Sequence, residues 1–197
     1  MEPPPVVVLS IDIGRDNMAV CLLEAGRDPL ASGDVILEWD VFAVGTNCEG
    51  IVQTLGDRGI DDMVRRCRGV VIEKQMAANH IAKRLEHYVE MYCVMRGKHV
   101  TVMDPKLRLA YASTTPYWTS GMPESWTVYQ RKRLAEKVTT RFLEGTIQNP
   151  TIMERWRSAP KKDDLADALL QASAFVHVHM AMEEAYKTKS LVENAGA

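Results

Sequence analysis

Cysteine is scarce in this 197-residue chain, and none of its four cysteines forms a CxxC pair. Cys21, Cys48, Cys67 and Cys93 stand far apart, which argues against a zinc site and, at this size, against a disulfide scaffold. A reducing compartment is the expected setting. A long apolar run is missing as well. The start, MEPPPVVVLS, has no basic region ahead of its apolar residues, and that run is of strand length and leads into Asp12. Neither a signal peptide nor a membrane span is expected, nor is the start an Arg-rich, acid-poor transit sequence. These absences predict a cytoplasmic, non-secreted protein with no membrane partner. No internal repeat is present, and low complexity is confined to the short Pro3–Pro5 run.

What is present is enough for one core. With 46% hydrophobic residues the chain can bury a single domain. Residues 6–186 are expected to form it, with flexible termini at residues 1–5 and 187–197. The net charge of −2 conceals an asymmetry. Residues 1–60 carry 10 acidic and 3 basic side chains, net −7, whereas residues 83–162 carry 15 basic and 7 acidic, net +8. Phosphate affinity follows local potential, so the second region can hold a polyanion while the first stays clear or gathers cations. An unevenly charged, solvated surface is the alternative.

Hydrophobic period gives the order of elements. Val6–Ile13 is a near-continuous, β-branched run, as a strand buried on both faces should be. Met18–Leu23 follows as its hairpin partner, Val35–Val44 reads as a more exposed third strand, and Val70–Ile72 as a fourth. The period then changes: Ile81, Leu85, Tyr88, Val89, Tyr92 and Met95 fall at helical spacing. His99–Met103 is a fifth strand, stopped by Asp104-Pro105. Helices are expected from about Tyr129 to Leu143 and from about Asp163 to Ala185, separated from the fifth strand by the broken loop Thr114–Thr127. The result is an α/β arrangement with the first strand central.

Carboxylates interrupt this pattern at telling places. Asp12 sits within the most hydrophobic strand, where an unpaired charge costs several kcal/mol, roughly, even after relaxation. Glu73 ends the fourth strand, which would lie beside the first. Asp164 and Asp167, at i,i+3, and Asp163 and Asp167, at i,i+4, share faces of the last helix. Three segments can therefore converge on one acidic cluster, which repels itself unless a cation is shared. All-carboxylate ligation suits Mg²⁺ or Mn²⁺. Two such ions about 4 Å apart can clamp a phosphodiester for hydrolysis.

SIDIG (Ser10–Gly14), VIEKQ (Val71–Gln75) and KKDDLADALLQ (Lys161–Gln171) resemble the motifs of RuvC-type Holliday junction resolvases in the ribonuclease H-like superfamily, with poxvirus resolvases and then fungal mitochondrial ones nearest in wording. The resemblance spans roughly residues 6–180. It implies a ribonuclease H-like fold, with a five-stranded mixed sheet in the order 3-2-1-4-5 flanked by helices. It also implies a homodimeric endonuclease that cuts four-way DNA junctions by paired nicks, using two Mg²⁺ per site, with Mn²⁺ as a substitute, no small-molecule cofactor, and 5′-phosphate products. If the source is a virus, the infected-cell cytoplasm is the implied compartment. Asp12, Glu73, Asp164 and Asp167 match the catalytic metal ligands; Asp163 is the lesser substitute and reads better as a helix cap.

The basic residues are read beside this. Arg131, Lys132, Arg133 and Lys137 are expected to contact junction phosphates, a solvated helix face being the alternative. Lys161 and Lys162 precede the acidic helix start and can meet the phosphate beside the scissile one; Lys106 and Arg108 are weaker candidates of the same kind. Gln75, Met76 and Asn79 are expected at the strand exchange point, although bacterial RuvC carries an aromatic wedge where Met76 stands. His177 and His179 point to different faces and suggest packing. His80 and His87 read as partner-facing or solvated, and Asp16 as a turn residue. Trp118 and Trp126 can stack on bases or pin their loop. Other readings are a hydrolase of RNA–DNA hybrids, a junction-binding protein without cutting activity, and an actin-like ATPase fragment. The last lacks a second Asp-Gly-rich phosphate loop.

Overall fold

The computed structural model describes residues 5–26, 34–45, 47–115, 117, 127–146 and 148–195, with side chains to residue 178. Pro3 and Pro4, Trp118 and Trp126, and the side chains of His179, Met180 and Met182 lie outside the described residues. Five strands, β1 (Val6–Asp12), β2 (Met18–Ala25), β3 (Val35–Phe42), β4 (Gly69–Glu73) and β5 (Val100–Met103), form one sheet in the order β3-β2-β1-β4-β5. β1 to β3 are an antiparallel meander, and β4 and β5 join in parallel. This is the expected mixed sheet. Gly14 makes the first turn possible, because a Cβ there would sit 2.5 Å from the Asn17 carbonyl oxygen.

Helices cover both faces. One face carries α1 (Cys48–Asp57), α2 (Ile60–Arg66) and α3 (His80–Val94); the other carries α4 (Pro105–Ala112), α5 (Val128–Gly145), α6 (Pro150–Ser158) and α7 (Lys162–Ala195). Strand parity assigns the side chains. Leu9 and Ile11 of β1 and Val70 and Ile72 of β4 pack toward α1–α3. Val8 and Val71 pack toward α7, and Ser10 is hydrogen-bonded by Gln171 of that helix. By the same alternation Asp12 and Glu73 belong to the α7 side.

The structure corrects several sequence expectations. On α3 the buried residues are Ala82, Leu85, Glu86, Val89, Tyr92 and Cys93, whereas Ile81 and Met95 of the expected stripe are 51% and 78% exposed. The buried stripe starts one residue later, at Ala82, and ends at Cys93. Four helices were not expected, and two have local reasons for escaping notice. α1 contains Gly50 and Gly56, which weaken helical propensity. α4 begins at the Asp104-Pro105 stop itself, with Asp104 accepting from the Lys106 amide and proline in the first turn. Among the described residues no helix is long and apolar enough to cross a membrane.

Candidate active site

The carboxyl ends of the two central parallel strands build the site. The β1–β4 register pairs Ile11 with Ile72, so the next residues of each strand, Asp12 and Glu73, emerge side by side on the α7 face. Glu73 lies close enough to act on the Asp12 carboxyl. α7 is fastened above them by Gln171, fully buried, whose amide donates to the carbonyls of Ile11 at 3.1 Å and Val71 at 3.4 Å, and to Ser10 Oγ at 3.1 Å. Trp39 Nε1 donates to the Leu165 carbonyl at 3.0 Å and holds the start of the same helix. Asp167, one turn before Gln171, is thereby brought down to the strand ends.

A guanidinium stands among the three acids. Arg108, in the first turn of α4, donates from Nη2 to Asp167 Oδ2 at 2.8 Å and places Nη1 3.1 Å from Glu73 Oε1. Arg108, Glu73 and Asp167 have side chains only 13%, 15% and 13% exposed. One cation does not balance three carboxylates. Burial, then the hydrogen bond and charge of Glu73, push the Asp12 carboxyl well above the ordinary range, against the pull of Arg108. Burial likewise raises Asp167 to about 6, with Arg108 opposing and Glu73 adding to the rise. Arg108 stays charged: burial disfavours its charge, but Asp167, Glu73 and Asp12 outweigh that.

The other two aspartates of the motif turn elsewhere. The expectation that Asp163 caps α7 is corrected, because the helix already begins at Lys162 and Asp163 lies inside its first turn. Its carboxylate accepts from Lys132 of α5; burial opposes its charge, yet that hydrogen bond and the lysine charge hold it below the ordinary range. Asp164 lies 3.6 Å from Lys161, and burial with the Asp163 charge raises its carboxyl. Its Oδ2 is buried without a hydrogen-bond partner.

A cleft of about 560 Å³ opens in front of the cluster, lined by Glu73, Gln75, Met76, Asn79, Lys106, Arg108, Arg131, Lys132 and Asp167 among others. Met76 is 77% exposed at its edge, and Asn79 caps α3 by accepting from the Ala82 amide. Arg133 instead faces out beside Glu136 and the Tyr129 ring, and Lys137 is exposed. Lys162 lies over the Trp156 ring, 5.7 Å from its centroid. His177 rests against Tyr111, with ring centroids 5.2 Å apart, in keeping with a packing role.

Two residues of the site were not foreseen in the role they play. Arg108 was expected to face a phosphate, and its place among the acids was not legible. Glu86 was missed altogether. Its side chain is 2% exposed on α3, where it accepts from the Gln75 amide at 2.6 Å and from Lys83 Nζ. It ties the loop after Glu73 to the helix. A glutamate within the apolar stripe of α3 was the signal that could have found it.

The donor set fits a hard divalent cation. Asp12, Glu73 and Asp167 offer only carboxylate oxygens from three separate elements, and Asp164 adds a buried oxygen, Oδ2, that has no hydrogen bond and only the 3.6 Å ion-pair contact with Lys161. As the side chains stand, no three such groups among the described residues are arranged around a metal-sized point, and the Arg108 guanidinium lies between Glu73 and Asp167.

No protein-family model matches the chain. The fold is similar to that of solved Holliday junction resolvases. The yeast mitochondrial Holliday junction resolvase Ydc2 superposes with a TM-score of 0.62 at 17% identity, covering 94% of this chain and 85% of that one. The fowlpox virus resolvase, solved with its substrate Holliday junction DNA, gives 0.61 at 13% identity over 88% and 98%. Thermus thermophilus RuvC gives 0.60 at 16% over 89% and 97%. By sequence the chain is 28% identical over 109 residues to uncharacterized protein 97L of invertebrate iridescent virus 3; the match covers 55% of this chain and 48%, about half, of that protein.

Proposed function

We propose that the chain is a structure-selective endonuclease that resolves four-way DNA junctions by paired, symmetric nicks, leaving 5′-phosphates. The observation that carries this reading is the convergence of Asp12, Glu73 and Asp167, from β1, β4 and α7, beside a cleft lined by Glu73 and Asp167 together with Lys106, Arg131 and Lys132. Sharing a fold with a resolvase solved on its junction supports it. Residues 6–186 make up the nuclease domain.

Asp12, Glu73, Asp167 and Asp164 would hold two Mg²⁺, or Mn²⁺ in their place, with Asp163 as the substitute for Asp164. Bound there, the metal supplies Lewis acidity, activating water for attack on phosphorus and stabilising the departing 3′-oxygen. The chain's own residues do the rest. Arg131, Lys132, Lys161 and Lys162 draw the phosphate backbone toward the acids, with Arg133 and Lys137 extending the positive field along α5. Gln75, Met76 and Asn79, at the cleft edge, meet the unpaired bases at the branch point.

Paired cuts need two sites, so the enzyme acts as a homodimer. The outer face of α3 supplies a surface for it: Ile81, Met91, Val94 and Met95 are about half or more exposed. A junction-binding protein without cutting activity is the second reading, favoured by the neutralising presence of Arg108 among the acids. Incubating purified protein with an end-labelled four-way junction and Mg²⁺ separates the two. Symmetric nick pairs, absent on linear duplex and on RNA–DNA hybrid, are the expected products. Tight junction binding with no products in Mg²⁺ or Mn²⁺ would favour the second reading.

A further inference from the structure

Arg108 is poorly satisfied where it sits. Its Nε and Nη1 are buried without a hydrogen-bond partner, Nη1 making only its ion-pair contact with Glu73. A planar guanidinium fork is built for two parallel bonds to a carboxylate or phosphate, and here it makes a single hydrogen bond, to Asp167. Yet it remains, because the carboxylates around it would otherwise face one another unscreened at partial burial. Arg108 therefore serves as their counter-cation while keeping two donors in reserve.

A divalent cation at these carboxylates would do the same electrostatic work through the same oxygens. It would also cancel the attraction that holds the guanidinium in place. The cleft gives the side chain somewhere to go, since Arg108 lines it beside Lys106, Arg131 and Lys132, where a phosphate would lie. Resting on the nuclease reading of this site, we infer that Arg108 and the divalent cation compete for Glu73 and Asp167. Their exchange turns Arg108 from an internal counter-ion into a phosphate ligand. Metal and DNA binding are then coupled through one side chain: metal frees the arginine for phosphate, and phosphate removes the arginine from the metal's path.

The test uses Ca²⁺, which binds oxygen ligands without supporting the cut, on the full chain and on Arg108→Met and Arg108→Lys. By calorimetry Arg108→Met should bind Ca²⁺ about tenfold or more tightly than wild type, the scale expected for removing a unit charge beside a partly buried site; Arg108→Lys should fall near wild type. Ca²⁺ should raise junction affinity, read by fluorescence anisotropy against EDTA, at least about fivefold more in wild type than in Arg108→Met. A measurement on the unaltered protein guards against a misfolded variant: the Arg108 Nε–H signal, assigned by its loss in Arg108→Lys, should exchange with solvent faster once Ca²⁺ is added. Equal Ca²⁺ affinity in wild type and Arg108→Met, or an Nε–H signal indifferent to Ca²⁺, would overturn the competition. Equal Ca²⁺ enhancement of junction binding would overturn the exchange. Junction cleavage by wild type in Mg²⁺ is scored separately, so its failure beside a Ca²⁺-tightened Arg108→Met would count against the nuclease reading and not against the competition.

Discussion

Two buried acidic sites lie about the start of the short loop that follows β4, and they are built on opposite terms. At one, Glu86 is matched: a backbone amide and a lysine ammonium meet its two oxygens. At the other, Asp12, Glu73 and Asp167 share one guanidinium that spends one of its hydrogen bonds. A matched buried charge holds structure together. An undermatched cluster costs stability, and charge imbalance of this kind clusters at sites that bind or react.

The sharpest way to break this comparison is to neutralise each site in turn. Asp12→Asn, Glu73→Gln and Asp167→Asn should each lower junction cleavage by about a thousandfold or more, the scale of removing a group that stabilises the transition-state charge, while leaving junction binding within a few fold. A variant that cuts at near wild-type rate would remove that acid from the site. Glu86→Ala should instead lower stability by about 3 kcal/mol, because it strands the Gln75 amide and Lys83. Glu86→Gln should cost less than half as much, since its amide oxygen still accepts from Gln75. Urea midpoints check both, and a loss under about 1 kcal/mol for the alanine variant would show that Glu86 is not the anchor.

The smallest effect concerns pH. Asp167 is raised to about 6, so its protonated form favours the folded state. Its contribution to stability is present at low pH and is lost as pH rises from the ordinary carboxylate range through 6, by roughly 3 kcal/mol. Asp167→Asn should flatten the stability profile between about pH 4 and 6. A decline of the same size in that variant would place the titration on another group.

Much of the fold was legible because its signals are local. The β-branched run of β1, the change of period after Glu73 and the three acidic motifs each lie within a dozen residues of sequence. α6 could have been read on the same grounds, since Asn149 accepts from the Thr151 amide and Pro150 occupies the first turn. α1 could not, because two glycines blur its period. For Asp163 the local rule was misleading: the capping preference of aspartate lost to a lysine 31 residues away.

The sequence by itself determined that acids would lie within β1, end β4 and open α7, because strand alternation and helical spacing need only near neighbours. Only the tertiary structure decided which of them meet. The parallel register sets Asp12 beside Glu73, Gln171 lowers Asp167 onto both, and Arg108 arrives from 59 residues before Asp167. A charge buried by the fold takes whatever partner the packing delivers, and no rule of spacing along the chain specifies that partner.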